Sequence, residues 1–183
     1  MPDPLSIALV GLSGVGKSSI GRRLAERLGW PLHDTDALIA QAEGRTIAQI
    51  FADWGEPRFR DLESAALQQA FSHTPCVVST GGGIVLRPDN RALLRSRAFV
   101  VWLDASTETL VARLLAHDED RPLIGGSDPS ARLEALRAAR AGLYAEVAHV
   151  RVLTAGYTVD EISEQVLQLF AQTTGKTSAT PFV

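Results

Sequence analysis

Short apolar runs alternate along the chain with longer stretches in which apolar residues recur every three or four positions, as in an amphipathic helix. The runs are typical of buried strands and lie at 6–10, 76–78, 98–103 and 150–153, with a weaker one at 30–33. Helices are predicted between them, at about 17–28, 37–43, 46–53, 57–72, 89–96, 107–117, 130–147 and 159–172. Because strands that alternate with helices are joined by crossover connections, the pattern predicts an α/β fold with a parallel sheet.

Two segments lack either periodicity. Residues 118–129 carry a Gly-Gly pair, two prolines and four acidic residues between two predicted helices, which is typical of a mobile surface segment and predicts a lid. Residues 173–183 are mostly small and polar and are predicted to form a flexible tail. The remaining residues, 1–172, are expected to form a single domain.

Composition narrows the class of protein. Of the 183 residues, 45% are apolar and 21% are charged, and the formal net charge is −3, so no polyanion-binding surface is expected and neither nucleic acid nor membrane is a predicted partner. The single cysteine, Cys76, lies within an apolar run, which indicates a buried thiol in a reducing compartment. The N-terminus does not resemble a signal peptide, and no apolar run approaches membrane-spanning length. A cytoplasmic protein is therefore expected.

The turn after the first predicted strand carries the clearest chemical motif. Gly11-x-x-x-x-Gly16-Lys17-Ser18 has the spacing of a phosphate-binding loop (P-loop), in which backbone N–H groups surround an anion, the lysine adds a charge and the hydroxyl ligates Mg²⁺. The predicted helix that follows points its positive end at the same place. A glycine-rich turn with an ordinary solvated lysine is the alternative. The motif predicts that the loop holds a nucleoside triphosphate, ATP.

Two carboxylates end the second predicted strand. In an open parallel sheet, Asp34 and Asp36 then lie beside the P-loop, where ligands bind. Asp34, nearer the strand, can reach the water shell of a metal ion, and Asp36, past the turn, can face an acceptor hydroxyl as a base or an orienting group. An aspartate before a helix is also a common N-cap, and Asp36 directly precedes the predicted helix at 37–43, so both uses can coexist.

A triple glycine and a helical arginine add to this edge of the sheet. Gly81, Gly82 and Gly83 follow a predicted strand and let the backbone approach a ligand closely, although a tight turn alone would explain them. Arg60 and Glu63 stand three apart on a predicted helix, where the carboxylate can hold the guanidinium for a two-point grip on a substrate carboxylate. A surface ion pair is the alternative.

Other arginines are less clearly assigned by their spacing. Arg121, in the predicted lid, can swing onto transferring phosphates and stabilise their negative charge, or it can be a solvated loop residue. Arg132, Arg137 and Arg140 share one predicted helix, and spacing alone does not show which of them faces a site.

Together these motifs resemble the shikimate kinase family, from about residue 5 to residue 169. The resemblance rests on the P-loop, Asp34-Thr35-Asp36, Ile50-Phe51 with Gly55-Glu56 and Phe59-Arg60-x-x-Glu63, the triple glycine, Arg121-Pro122-Leu123, and Arg140 four residues before Tyr144. It implies a P-loop, three-layer α/β/α fold with a five-stranded parallel sheet and a mobile lid. It also implies a monomer that transfers the γ-phosphate of ATP to the 3-hydroxyl of shikimate, in the route to chorismate and the aromatic amino acids.

The resemblance implies roles for individual residues. The phosphates would be wrapped by Gly14, Val15, Gly16, Lys17, Ser18 and Ser19, with Arg121 closing over them. Ser18 would ligate Mg²⁺ directly and Asp34 through water, while Asp36 would contact shikimate hydroxyls and act as the base. The shikimate carboxylate would be gripped by Arg60 and Arg140, and its ring would lie against Gly81, Gly82 and Gly83. Arg113 would stack on adenine, although the segment between it and Arg121 is one residue longer than the family pattern.

Two departures and two alternatives accompany the resemblance. Thr80 replaces a common apolar residue, and Ser19 replaces a frequent threonine, but neither change removes a group that the reaction needs. Gluconate kinases share the P-loop and the fold, but the paired aspartates, Arg60 with Glu63, and the triple glycine are of the shikimate type. A non-catalytic sensor of this kind would be fused to a DNA-reading domain, and the chain begins only a few residues before its first strand. We therefore expect an active enzyme.

Overall fold

A computed structural model describes residues 6–116 and 128–175. The strands are β1 (Ser6–Val10), β2 (Leu32–Asp34), β3 (Val77–Ser79), β4 (Ala98–Asp104) and β5 (Val150–Leu153). The helices are α1 (Lys17–Leu28), α2 (Thr35–Glu43), α3 (Ile47–Ala70), α4 (Pro88–Arg97), α5 (Thr107–Ala116), α6 (Pro129–Val147) and α7 (Val159–Thr174). A single 3₁₀ turn, Ile84–Leu86, precedes α4.

The five strands form one parallel sheet in the order β2-β3-β1-β4-β5. Strand β1 is central, with Ile7 opposite Val77 on one side and opposite Phe99 on the other. Residues Ile7, Ala8, Leu9 and Val10 are all fully buried, as expected for a strand covered by helices on both faces. The predicted α/β fold with a five-stranded parallel sheet is therefore confirmed.

A second, smaller core lies between α2 and α3. Ile39 of α2 packs with Ile50, Phe59 and Ala66 of α3, apart from the main core around the sheet. Helix α3 is interrupted at Gly55, whose backbone (φ 76°, ψ 175°) lies in a region that essentially only glycine adopts. The sequence predicted two helices, at 46–53 and 57–72, and the kink lies in the predicted gap between them.

Most element bounds lie within two residues of the predicted ones, and the differences have local causes. Helix α2 begins at Thr35 rather than at residue 37 because the side chain of Asp34 caps it, accepting from the backbone N–H groups of Asp36 and Ala37. Helix α7 ends at Thr174 rather than at residue 172. Thr174 is buried and its hydroxyl donates to the carbonyl of Phe170, so residues 173 and 174 do not belong to the predicted tail.

Helix α6 is tied to the sheet by a buried carboxylate. Asp104, at the end of β4, accepts two hydrogen bonds from Arg137 of α6 and one from Arg151 of β5, and it is only 3% exposed. Arg137 therefore anchors the helix. This fixes the helix that also carries Arg140, one turn further on.

Some predictions concern residues outside the described ranges. These are most of the predicted lid, including Arg121, and the tail beyond residue 175. Within the described ranges, no helix is both long enough and apolar enough to cross a membrane.

Candidate active site

The P-loop connects β1 to α1 at the carboxyl end of the sheet. Gly11, Gly14 and Gly16 all have positive φ angles, which let the chain curl within six residues. A Cβ on Gly11 would lie 2.3 Å from the carbonyl oxygen of Leu103, so the loop begins directly against β4. Helix α1 has no side-chain N-cap and no acidic residue in its first turn. Its backbone N–H groups therefore suit an anion.

Lys17 folds back over this loop. Its ammonium group donates to the carbonyl oxygens of Gly11 and Leu12, each at 2.8 Å, and the side chain is 9% exposed. The charge is thus held at the mouth of the loop by the loop's own backbone. Val15 is buried behind it, whereas Ser18 and Ser19 face solvent in the first turn of α1.

Ser18 and Asp34 meet across the sheet edge. The hydroxyl of Ser18 donates to Oδ2 of Asp34 at 2.9 Å and lies 3.4 Å from the hydroxyl of Ser79 at the end of β3. The other oxygen of Asp34, Oδ1, caps α2. Asp34 thus caps the helix with one oxygen and faces the P-loop with the other.

The oxygens at this point fit Mg²⁺. The site presents a hydroxyl and a carboxylate, the hard oxygen donors that Mg²⁺ prefers, and Mg²⁺ in nucleotide sites usually takes only one or two protein ligands beside the phosphates and water. In the described ranges no group of three or more His, Cys, Asp or Glu residues could hold a metal ion. A protein-only metal cage is therefore not what these residues form.

Asp36 and Glu63 converge on the triple glycine. A Cβ on Gly81 would lie 2.6 Å from Oε1 of Glu63 and 2.8 Å from Oδ1 of Asp36, so only glycine leaves room for both carboxylates. The N–H of Gly81 donates to the hydroxyl of buried Thr35, which joins this loop to α2. Burial raises the pKa of Glu63, the charge of Arg60 opposes that change, and nearby Asp36 adds to it.

Arg60 is buried between two carboxylates of its own helix. Its Nε and Nη2 groups donate to Oε1 of Glu56 at 3.1 and 2.7 Å, and Nη1 donates to Glu63. Burial alone would lower the pKa of Arg60, but Glu63 and Glu56 outweigh it and raise the pKa. The guanidinium lies against the loop, since a Cβ on Gly83 would come within 2.1 Å of Nη1.

Arg140 and Tyr144 reach the same loop from α6. Nη1 of Arg140 donates to the carbonyl oxygen of Gly82 at 3.2 Å, and the hydroxyl of Tyr144 donates to the same oxygen. Burial raises the pKa of Tyr144 to about 12. Within residues 6–116 and 128–175, no carboxylate forms an ion pair with Arg140. Gly82 is more exposed than Gly81 and Gly83, and a Cβ there would meet nothing closer than 3.5 Å.

Arg113 lies beside the P-loop on α5. Its guanidinium donates to the hydroxyl and carbonyl of Thr154, each at 2.9 Å, and reaches the carbonyl of Gly14 at 3.4 Å. It therefore stands between the loop and the end of β5, at the far side of the cradle from Asp36.

Several contacts in the site were not predicted from the sequence. Glu56 is quoted in the motif and stands four residues before Arg60, but it lies one residue before the predicted helix at 57–72, so its bond to Arg60 was not predicted. Tyr144 and Thr35 hold the triple glycine from separate elements. Thr80, just before the triple glycine, donates to the carbonyl of Leu9 at 2.9 Å and is buried. A hydroxyl at this position is therefore satisfied within the sheet.

Comparison with known proteins gives one consistent result. The family model described as shikimate kinase matches residues 13–171. A shikimate kinase from Symbiobacterium thermophilum is 46% identical over 165 residues, covering 90% of this chain and 95% of that protein. A shikimate kinase structure from Acinetobacter baumannii in complex with shikimate has a TM-score of 0.90 at 36% identity, covering 94% of this chain and 96% of its own. A gluconokinase from Sinorhizobium meliloti covers 96% of both chains at 25% identity but has a TM-score of 0.62.

Proposed function

Since the chain belongs to the shikimate kinase family and catalyses the ATP-dependent phosphorylation of shikimate, we propose that one edge of its sheet carries two half-sites that share the reaction. The P-loop holds ATP, and the triple glycine with its surrounding side chains holds shikimate. The product is shikimate 3-phosphate. The observation that carries this division is the convergence of Asp36, Arg60 and Arg140 on residues 81–83, next to the P-loop.

The ATP phosphates are held by the backbone of Gly14, Val15 and Gly16 and by Lys17, Ser18 and Ser19. The open first turn of α1 supplies N–H donors, and Lys17 supplies a fixed positive charge. Since phosphoryl transfer passes through a loose transition state, positioning and charge stabilisation do most of the work here.

Ser18 would hold Mg²⁺ directly through its hydroxyl, and Asp34 would hold it through water. When bound, the ion neutralises charge on the phosphate oxygens and helps to align them. The orientation of Asp34 comes from the protein itself. Two backbone N–H groups donate to its Oδ1, and this directs its Oδ2 towards Ser18.

Shikimate is oriented by its carboxylate and its hydroxyls. Arg60 and Arg140 grip the carboxylate, since both guanidinium groups lie against the triple glycine. Gly81, Gly82 and Gly83 lie against the ring. Asp36 contacts the acceptor hydroxyl and takes its proton or, if the transition state makes little demand on a base, holds it in line with the phosphate.

Two further arginines complete the nucleotide side. Arg121 closes over the phosphates, a role that rests on the family motif, since this residue is outside the described ranges. Arg113 stacks on adenine. Its position between Gly14 and Thr154, at the nucleotide end of the cradle, supports this role.

The enzyme is a cytoplasmic monomer in this proposal, with ATP and shikimate as its small-molecule partners. The family resemblance supports the monomer. Light scattering after gel filtration tests it, and a mass near 19.6 kDa is expected.

The acceptor assay tests the function. ADP release is measured with Mg-ATP and, in parallel, shikimate, gluconate or a nucleoside monophosphate. Turnover is expected with shikimate and not with the other two acceptors. Equal or faster turnover with gluconate would contradict the assignment of the acceptor half-site.

A further inference from the structure

Three of the five N–H donors of Arg60 are bound to carboxylates in this structure. A guanidinium offers two edges that can bind a carboxylate through two parallel hydrogen bonds, Nε with Nη2 and Nη1 with Nη2. Glu56 occupies the first edge with a single oxygen, at 3.1 and 2.7 Å. Glu63 holds Nη1 of the second edge. A substrate carboxylate that binds the Nε and Nη2 edge through two points must therefore displace Glu56.

The two glutamates differ in how easily they can leave. The side chain of Glu63 is 1% exposed and lies against Gly81, so moving it would leave a buried charge without its partner. The side chain of Glu56 is 55% exposed and gains water as soon as it turns away from Arg60. An incoming carboxylate thus displaces Glu56 at much lower cost than Glu63.

The backbone beside Glu56 is shaped for such a change. Gly55 interrupts α3 with non-helical angles, and Pro57 follows, so Glu56 stands at the junction of two helical segments rather than within a continuous helix. The net charge of this cluster favours the same outcome. Arg60 with Glu56 and Glu63 carries a net negative charge, and a third carboxylate is better accommodated if Glu56 withdraws.

We propose that Glu56 is a specificity-determining positioning residue, a built-in carboxylate that holds Arg60 in the empty site and is displaced by the carboxylate of the acceptor. This inference rests on the proposed grip of Arg60 on shikimate. An acceptor without a carboxylate cannot replace Glu56 on the Nε and Nη2 edge. The exchange therefore favours anionic acceptors over neutral polyols of similar shape.

Calorimetric titration of shikimate into Glu56→Gln tests the exchange, alongside steady-state KM and kcat. Because a half-exposed ion pair is weak, the Kd for shikimate is expected to fall roughly two- to five-fold. The KM for shikimate is expected to fall with it, while kcat and the KM for ATP stay unchanged. Asp53→Asn is the matched control, since it removes the same charge from the same helix on the other side of the kink, where Asp53 pairs with Arg45.

The outcomes separate the two proposals. A weaker or unchanged Kd in Glu56→Gln, or an equal gain in Asp53→Asn, overturns the displacement and would make Glu56 a permanent support of Arg60 or a source of general repulsion. Arg60→Lys is titrated beside them. If it leaves the Kd for shikimate unchanged, the grip itself is wrong and both proposals fail. If it weakens binding while Glu56→Gln does not strengthen it, only the displacement fails.

Discussion

Nine consecutive residues, 11–19, form the proposed phosphate cradle, whereas the proposed acceptor site is assembled from side chains on α2, α3 and α6 around the loop 81–83. The cradle is mostly backbone, and its shape depends on positive φ angles at Gly11, Gly14 and Gly16. The acceptor site is mostly charge, with Arg60, Glu63 and Arg140 all less than a tenth exposed. In the proposed function, one half of the site therefore binds its ligand mainly through backbone, and the other binds its ligand mainly through charged side chains.

The two half-sites should also differ in how they respond to substitutions. A backbone cradle is pre-formed by local chain geometry, so it tolerates changes elsewhere in the molecule. A cluster of buried charges depends on every member, because removing one partner leaves another buried and unpaired. Substitutions in the cradle should therefore affect one ligand strongly, and substitutions in the acceptor cluster should spread through neighbouring groups.

The largest effect is expected from Lys17→Ala. It removes the charge held over the cradle, so turnover should fall by at least about 10²- to 10³-fold and ATP binding should weaken. Arg22→Ala, which removes an exposed charge from the same helix, is the control and should leave turnover near that of the wild type. Near-normal turnover in Lys17→Ala would mean that the loop does not hold the phosphates.

Substitutions of Asp34 and Asp36, which lie between the two half-sites, should have different kinetic effects. Asp36→Asn keeps the shape but removes the proton acceptor, so kcat at saturating substrate should fall by about 10²-fold or more, with little change in Mg²⁺ dependence. Asp34→Asn should instead raise the Mg²⁺ concentration needed for half-maximal rate, and excess metal should partly restore the rate.

Turnover measured against both Mg²⁺ and pH distinguishes the two variants. If Asp36→Asn lowers the rate without changing the pH profile, Asp36 positions the hydroxyl rather than taking its proton. If excess Mg²⁺ rescues Asp36→Asn and not Asp34→Asn, the proposed roles are reversed.

Arg60→Lys tests the acceptor half alone. The charge stays but the planar two-point geometry is lost, so the KM for shikimate should rise roughly ten-fold or more while the KM for ATP changes little. Arg58→Lys makes the same exchange at an exposed neighbouring position and should change neither value. Equal rises in both KM values for Arg60→Lys would make Arg60 a structural residue.

The triple glycine offers a finer comparison within the acceptor half. Gly83→Ala places a methyl group where Nη1 of Arg60 lies, at 2.1 Å, so Arg60 must move and the KM for shikimate should rise several-fold, a smaller effect than that of Arg60→Lys. Gly82→Ala meets its nearest atom at 3.5 Å and should leave the melting temperature almost unchanged. A lower melting temperature in Gly82→Ala than in Gly83→Ala would contradict this account of the loop.

The smallest effect is expected at the opposite end of the sheet, away from both half-sites. Nδ1 of His149 accepts from the backbone N–H of Val100 at 3.0 Å, and burial, with Arg95 nearby, lowers the pKa of His149. A histidine with a lowered pKa in the folded state contributes its stability fully above its unfolded pKa of about 6.5, and that stability is lost as the pH falls further. The hydrogen bond at stake is worth about 0.5–1.5 kcal/mol at most.

Melting temperatures at pH 7.5 and 5.5 check this, with His149→Asn retaining an acceptor that does not titrate. The decrease between the two values should be smaller in His149→Asn than in the wild type. His73→Asn, which changes an exposed histidine, should behave like the wild type. An undiminished decrease in His149→Asn would show that the bond to Val100 does not respond to pH.

The sequence predicted the loop 11–16 and its flanking strand and helix almost completely because their determinants are contiguous. The bounds of β1 and α1 and the glycine positions all follow from one short motif and its flanking apolar pattern. The N-cap of α2 was harder to predict from the sequence. Both Asp34 and Asp36 are acceptable N-caps, and only the structure shows that Asp34 caps the helix.

The acceptor site was harder to predict because its contacts join distant elements. Arg60 pairs with Glu63 and Glu56 at helical spacings of three and four residues, but Glu56 lies one residue before the predicted helix at 57–72, so its bond to Arg60 was not predicted. Among three arginines on α6, spacing could not show that Arg137 binds Asp104 and Arg140 binds the triple-glycine loop. Those assignments depend on where β4 and residues 81–83 end up in the fold.

Calorimetric titration of ATP and of shikimate, each alone, into wild type, Lys17→Ala and Arg60→Lys tests the separation of the two half-sites most directly. Lys17→Ala should weaken ATP binding and leave the Kd for shikimate within about two-fold of the wild type, and Arg60→Lys should do the reverse. Equal weakening of both ligands by both variants would contradict the account, because it would mean that the cradle and the acceptor cluster form one inseparable site.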